Sequence, residues 1–204
     1  MIEFSEIEKR ITKGICIKDL EEILRPQKPF SNDKWRDTST GGFLAPNEKL
    51  LDVVRTDYDT LCSLGKTYGQ MAKLADDIER QLWSDFQANQ KSFTQKIKDY
   101  VFSTKKPVIV NVDKERFNFL QMASFGSQSC PWGCTGIDEF GYHTSGCGHT
   151  VVIEKGKEKS NFMNSLSSFT VITGLTPHLI ASHYFFEGNA SYRTDPRKLL
   201  QLVK

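Results

Sequence analysis

Apolar residues near the start of the chain recur at spacings of mostly three and four: Ile2, Phe4, Ile7, Ile11, Ile15, Leu20, Ile23 and Leu24. That rhythm predicts one or two amphipathic helices over residues 2–24, with Gly14 as the break. Arg25-Pro26 ends the pattern, because the residue before a proline avoids helical geometry. From Pro26 to Pro46 the chain turns polar and reads as a long loop, with Trp35 and Phe43 expected to pin it to the body. Periodicity returns in NEKLLDVVRTDYDTLCSLG. Asn47 is placed to cap this helix, Leu50, Leu51, Val54, Tyr58, Leu61 and Cys62 form its stripe, and Gly65 is placed to stop it. TYGQMAKLADDIERQLWSDFQ reads as a second helix through Met71, Leu74, Ala75, Ile78 and Leu82, and residues 92–102 as a third.

The texture changes at Lys105-Lys106-Pro107. PVIVNVD, RFNFLQMASFG, TVVIEKG and SFTVITG are rich in β-branched and aromatic residues and predict four strands. The lysine-rich EKGKEKSN between the last two is an exposed connection. The expected fold class is α+β: a helical N-terminal half, a mostly antiparallel sheet, and a C-terminal helix packed on it. Residues 1–104 and 105–204 then form two regions of one integrated domain.

The C-terminal helix is predicted from GLTPHLIASHYFFEG. Thr176 reads as its N-cap, Pro177 as its first residue and Gly188 as its stop. His178 and His183 are five positions apart, which at 100° per residue points them about 140° away from each other. His183 shares a face with Leu179 and Phe186. Its bland role is a hydrogen-bonded core histidine; its sharper role is a catalytic base. Asp195-Pro196 then opens a short last helix. Arg193 has no evident local role, and Asp195, Glu187 or an anion are its candidate partners.

Hydrophobic residues make up 38% of the 204 positions and charged residues 25%, an ordinary globular balance. The net charge of +2 is too small to argue for nucleic acid, despite Trp35, Arg36, Lys105 and Lys106. No apolar run approaches the roughly 20 residues that span a bilayer. The first residues lack the apolar core of a signal peptide, so the expected location is the cytoplasm, without membrane partners. Asn189-Ala190-Ser191 is then a chance sequon.

Five cysteines in such a chain argue against a disulfide framework. Cys16 and Cys62 sit singly in helical patterns, as small core residues would. Cys130, Cys134, Cys147 and His149 fall within 20 residues, spaced C-x3-C-x12-C-x-H. Three thiolates and an imidazole suit a structural zinc ion. Pro131 and Gly133, and then Gly146 and Gly148, predict turns that would let the ligands converge. His143 competes for the fourth position. Both half-sites depart from the usual C-x2-C spacing, and unligated thiols in a loop are the alternative.

The segments GLTPHLIASHYFFEG and YRTDP, with GFLAPNEKLLDVV and FGSQSCPW, resemble a family of uncharacterised bacterial proteins. The resemblance is scattered over residues 42–196. It implies a self-contained domain and carries no activity. The chain has no P-loop, dinucleotide fingerprint, nucleophile elbow or HExxH. The function this supports is a binding or regulatory protein, zinc-stapled, with a protein or small-molecule partner favoured over nucleic acid. The alternative is a hydrolase or transferase that joins His178 or His183 to the cysteine-rich loop, where a thiol and an imidazole would act as a pair.

Overall fold

The computed structural model describes the backbone of residues 2–25, 42–88, 108–112, 115–155, 170–190 and 193–202, and side chains over 2–25, 42–81, 128–146, 171–190 and 193–202. The expected helix at 92–102 and Trp35 lie outside the described residues.

Helices come first, as the periodicity predicts: α1 Phe4–Thr12, α2 Ile17–Leu24, α3 Leu50–Leu64 and α4 Tyr68–Ala88. Gly14, at φ 82°, makes the break between α1 and α2. Arg25 is extended and ends α2. The start of α3 differs from expectation. Lys49, without a side-chain cap, occupies the N-cap position, and Asn47 lies outside the helix. Instead Glu21 of α2 reaches across to accept the Leu50 N–H at 2.8 Å. A partner from another helix thus does the work of a local cap. Gly65 ends α3 in the left-handed conformation (φ 62°), and the Gly65 and Lys66 N–H groups satisfy the last carbonyls.

Four antiparallel strands follow in the order β1-β2-β3-β4: Val108–Val112, Glu115–Ser129, Ser145–Lys155 and Thr170–Thr173. The architecture is α+β. The register of β2 against β3 shifts between Met122 and Ser127, which marks an irregularity of the bulge type. β3 begins early, at Ser145, so it includes Cys147, Gly148 and His149. The turn expected around Cys147 is therefore strand: Cys147 pairs with Ser127, and His149 with Met122 and Thr173. Gly146 is the second residue of this strand, where it passes the corner after β4. A Cβ there would sit 2.9 Å from the Leu175 nitrogen, so only glycine lets the two backbones approach this closely.

Two helices close the chain, α5 Thr176–His183 and α6 Pro196–Gln201. α5 packs most extensively on α4 and also touches α1 and β4. Seven of its eight residues are buried, so it is enclosed on nearly every side rather than amphipathic. The core joins Ile7, Ile11, Leu20 and Leu24 of the first helices to Leu50, Val54 and Ile78, and to Leu179, Ile180, Phe185 and Phe186.

Candidate metal centre

The cysteine half of the site forms at the end of β2. Cys130, Pro131, Trp132 and Gly133 make a tight turn closed by the Gly133 N–H on the Cys130 carbonyl at 3.0 Å. Proline second and glycine fourth suit such a turn. Gly133 is left-handed (φ 74°), which redirects the chain so that the backbone N–H groups of Trp132 and Cys134 both reach the Cys130 sulfur. Hydrogen bonds of this kind favour a thiolate. Burial opposes them and dominates, pushing the Cys130 thiol up to about 12.

Beyond Cys134 the chain forms a small hairpin. The Ile137–His143 bridge and the Asp138 N–H on the Tyr142 carbonyl at 2.9 Å hold it. Asp138 organises its tip. One carboxylate oxygen accepts the N–H groups of Phe140 and Tyr142, at 2.9 and 2.8 Å, the local pattern that favours aspartate in turns. The other oxygen accepts from His178 Nδ1 at 2.7 Å and from the Ser182 hydroxyl at 2.7 Å. Burial raises the Asp138 carboxyl, but these four hydrogen bonds together outweigh it and leave it below the ordinary range.

The histidine half comes from α5. The helix differs from its sequence expectation at both ends. Leu175, not Thr176, is the N-cap, and it offers no side-chain bond. Thr176 turns back instead and accepts the Thr173 N–H at 2.9 Å. At the other end the helix stops at His183, well before Gly188, with Tyr184 left-handed at φ 52°. The Tyr184 N–H bonds the Leu179 carbonyl, five residues back, and the Phe185 N–H bonds the same oxygen at 3.1 Å. This last turn is one residue wider than an α-turn, a π-type closure. Widening the turn carries residues five apart toward the same side. The two histidine rings accordingly meet edge to face, with centroids 5.0 Å apart, instead of diverging as regular helical geometry predicts.

These two halves meet. One ligand atom from each of Cys130, Cys134, His178 and His183 lies within 4.8 Å of all the others, close enough to hold a metal ion. His183 Nε2 is 3.2 Å from the Cys130 sulfur and 3.5 Å from the Cys134 sulfur. In a zinc tetrahedron, with bonds of about 2.3 Å to sulfur and 2.0–2.1 Å to nitrogen, ligand atoms sit roughly 3.3–3.8 Å apart. The observed set therefore closes on an ion with shifts of about 1 Å.

The protonation states of the two histidines also suit metal binding. An ionised carboxylate can only accept, so the proton of His178 is on Nδ1 and its Nε2 carries a lone pair. That Nε2 is buried with no hydrogen-bond partner. His178 is fully buried, and burial lowers its pKa despite Asp138 beside it. Burial also lowers His183, to about 3, helped by the charge of Lys13. Both imidazoles are therefore neutral, as metal ligands must be. A carboxylate that fixes the tautomer of a ligating histidine is a recurring partner in metal sites. The Trp132 indole stacks on His183 at 4.1 Å and 11°, and its N–H donates to the Ile11 carbonyl at 2.7 Å, which ties the cluster to α1.

Of the sequence-predicted ligands, Cys130 and Cys134 enter this cluster. The side chains of Cys147 and His149 lie outside the described residues. His143 is exposed and lines a separate cavity with Asp76 and Glu79. Arg193 is engaged elsewhere: its guanidinium grips Asp57 of α3 through both carboxylate oxygens, at 2.5 and 3.2 Å, and donates to the Glu187 carbonyl. Asp57 was not among its expected partners. Sequence reasoning missed Asp138 altogether; its only local signal was an aspartate opening a turn that ends in Gly141. Comparison of the chain with family models, with curated proteins and with solved structures gives no match.

Proposed function

We propose that Cys130, Cys134, His178 and His183 hold one zinc ion in a structural role, within a binding or regulatory domain. One observation carries this reading: four potential ligand atoms from distant parts of the chain converge within 4.8 Å, while the His178 lone pair has no other partner. Four protein ligands complete a tetrahedron and leave no open position for substrate, the pattern of structural rather than catalytic zinc. The ion would staple the hairpin of residues 134–144 to α5. Among the described residues no helix is long and apolar enough to cross a membrane. A cytoplasmic setting, which the composition favours, keeps thiols reduced and available as ligands.

The 3.2 Å contact between the Cys130 sulfur and His183 also suits a hydrolase or transferase with Cys130 as nucleophile. The charge balance argues against it. With Cys130 raised to about 12 and His183 lowered to about 3, the neutral thiol and neutral imidazole are strongly favoured over the ion pair.

Elemental mass spectrometry on protein purified without chelator tests the reading. About one zinc per chain is expected. Cys134→Ala and His178→Ala should lose it, whereas Cys147→Ser and His149→Ala should keep it. Zinc lost from the latter pair and kept in the former would overturn this ligand set in favour of the one read from sequence spacing.

A further inference from the structure

The cysteine turn places two sulfurs where they can bond to each other instead of to a metal. They belong to a cluster whose ligand atoms all lie within 4.8 Å of one another, and His183 Nε2 is 3.2 Å from one and 3.5 Å from the other. In a zinc tetrahedron two sulfurs sit roughly 3.8 Å apart, and a disulfide brings them to about 2.05 Å. The chain between them is already curled. The Gly133 N–H on the Cys130 carbonyl closes four residues into a turn, and the Cys134 N–H and thiol both reach back to the Cys130 sulfur. A shift of roughly 2 Å, shared between two side-chain rotations, separates the metal-bound pair from the bonded pair.

The two thiols differ in access. Cys130 is buried, whereas Cys134 is half-buried, so Cys134 is the sulfur that solvent reaches and Cys130 is the partner behind it. Cys16 and Cys62 do not belong to the cluster. The histidine side is held by contacts that involve no sulfur. Asp138 accepts from His178 Nδ1 and from the Ser182 hydroxyl, each at 2.7 Å. The Trp132 indole stacks on His183 and donates to the Ile11 carbonyl at 2.7 Å. These contacts hold the hairpin and α5 together when the sulfurs are no longer ligands. Two neutral imidazoles alone are a poor zinc site, because a closed site takes four ligands.

We infer that this cluster is an oxidation-sensitive switch, in which a peroxide joins Cys130 to Cys134 and releases the metal while Asp138 keeps the hairpin docked on α5. The inference rests on the zinc reading of the same four residues. The Cys134 thiolate attacks one peroxide oxygen and the O–O bond breaks. The sulfur keeps an OH as a sulfenic acid, and the other oxygen leaves as hydroxide, which takes a proton to become water. The Cys130 thiolate then attacks the Cys134 sulfur. The S–S bond forms, the S–O bond breaks, and the second hydroxide also leaves as water. The two thiolates together lose two electrons, the peroxide gains them, two protons are consumed, and the zinc ion departs unreduced. A dithiol reductant reverses the step by thiol–disulfide exchange, and the restored pair can bind zinc again.

Hydrogen peroxide is the probe, added to the zinc-loaded full chain beside a chromogenic chelator. Released zinc should match the disulfide formed, about one per chain. Chymotrypsin cuts after Trp132, between the two cysteines, so mass spectrometry of the non-reduced digest should show the two flanking pieces linked. Cys147→Ser should behave as wild type in both measurements. The oxidised protein should bind zinc at least roughly 100-fold more weakly than the reduced protein, keep its circular dichroism, and recover its thiols and its zinc after dithiothreitol. Five results would each overturn the switch: both thiols left free by peroxide, a disulfide that leaves zinc bound, zinc release without the Cys130–Cys134 link, a link through Cys147, or unfolding on oxidation. All five start from zinc-loaded protein and leave the metal reading standing. Reduced protein that takes up no zinc would instead sink the metal reading first, and this inference with it.

Discussion

Asp138→Asn is the most discriminating perturbation of the metal centre, because it exchanges one charged acceptor oxygen for a neutral NH₂ donor with almost no change of volume. The asparagine oxygen can still accept from the Phe140 and Tyr142 N–H groups, at 2.9 and 2.8 Å in the native protein, so the hairpin tip keeps its turn. The amide nitrogen then faces His178 Nδ1, where a carboxylate oxygen sits 2.7 Å away in the native protein. An amide NH₂ only donates, and an Nδ1–H only donates. The clash of donors drives the proton from Nδ1 to Nε2 and removes the lone pair that binds metal. His178 is fully buried and the Asp138 side chain is 8% exposed, so water cannot relieve the mismatch. Loss of such a histidine partner typically weakens metal affinity 10- to 100-fold, about 1.4–2.8 kcal/mol.

Two assays read this. Competition against a chelating chromophore should give the affinity loss directly. Thermal unfolding at saturating zinc should show the variant less stable by a similar free energy, because an ion bound only to the folded state adds its binding energy to stability. With excess chelator the gap between variant and native protein should shrink to the lost charge-assisted hydrogen bonds alone. A zinc affinity within about twofold of wild type would refute the tautomer argument. So would a stability loss that is the same with zinc and with chelator.

Two further outcomes are expected. Glu187 is fully buried at φ 66°, with one carboxylate oxygen unpartnered; burial raises its pKa to about 8, against the opposing charge of Arg193. A pKa raised on folding contributes stability that is complete below the unfolded value of about 4.3 and is lost as pH climbs through 8. Glu187→Gln should remove that loss, so the variant gains on wild type between those limits and holds its gain above them; a difference independent of pH in urea unfolding would rule this out. Asp57, raised to about 6 mainly by burial, contributes the same slope to both proteins and cancels. Phe186 is 1% exposed, so Phe186→Ala should cost about 3–5 kcal/mol, and an unchanged urea midpoint would show that the ring is not a core element.

Much of the fold was legible because burial imposes periodicity. Ile7, Ile11, Leu50, Val54 and Ile78 are all buried, and each lay on a stripe that spacing alone revealed. Gly65 and Asp195 were legible as punctuation for local reasons: one supplies a left-handed φ, and the other accepts the N–H groups of Arg197 and Lys198 at 2.8 and 3.2 Å. The metal cluster was only half legible. Cys130 and Cys134 belong to one turn, so their convergence is encoded locally. His178 and His183 reach the site through tertiary packing, from a helix that follows two strands, and no spacing rule connects them to Cys130. Their approach to each other depends on a widened last turn, which regular helical geometry excludes. The reading around Cys147 failed for a related reason: glycines on either side suggested a turn, while Gly146 is required instead by the backbone of Gly174 and Leu175 running beside it.

That widened turn also explains why an energetically awkward residue is tolerated next to the cluster. Left-handed φ at a non-glycine costs roughly 1–2 kcal/mol, and Tyr184 has no local reason to accept it. Its surroundings supply the reason. The phenol accepts from Arg10 at 2.9 Å, the ring meets Tyr68 edge to face at 4.7 Å, and the residue is 8% exposed. Phe185, the next residue, packs edge-on against Trp132 at 5.7 Å, and Trp132 in turn lies flat on His183. The left-handed step is thus what sends Tyr184 toward the α3–α4 corner while Phe185 and His183 stay with the cysteine turn. An α-helix that continued regularly past His183 would rotate these three side chains by 100° steps and could not serve both places. The same turn therefore fixes both a metal-cluster histidine and the position of the Tyr184 ring.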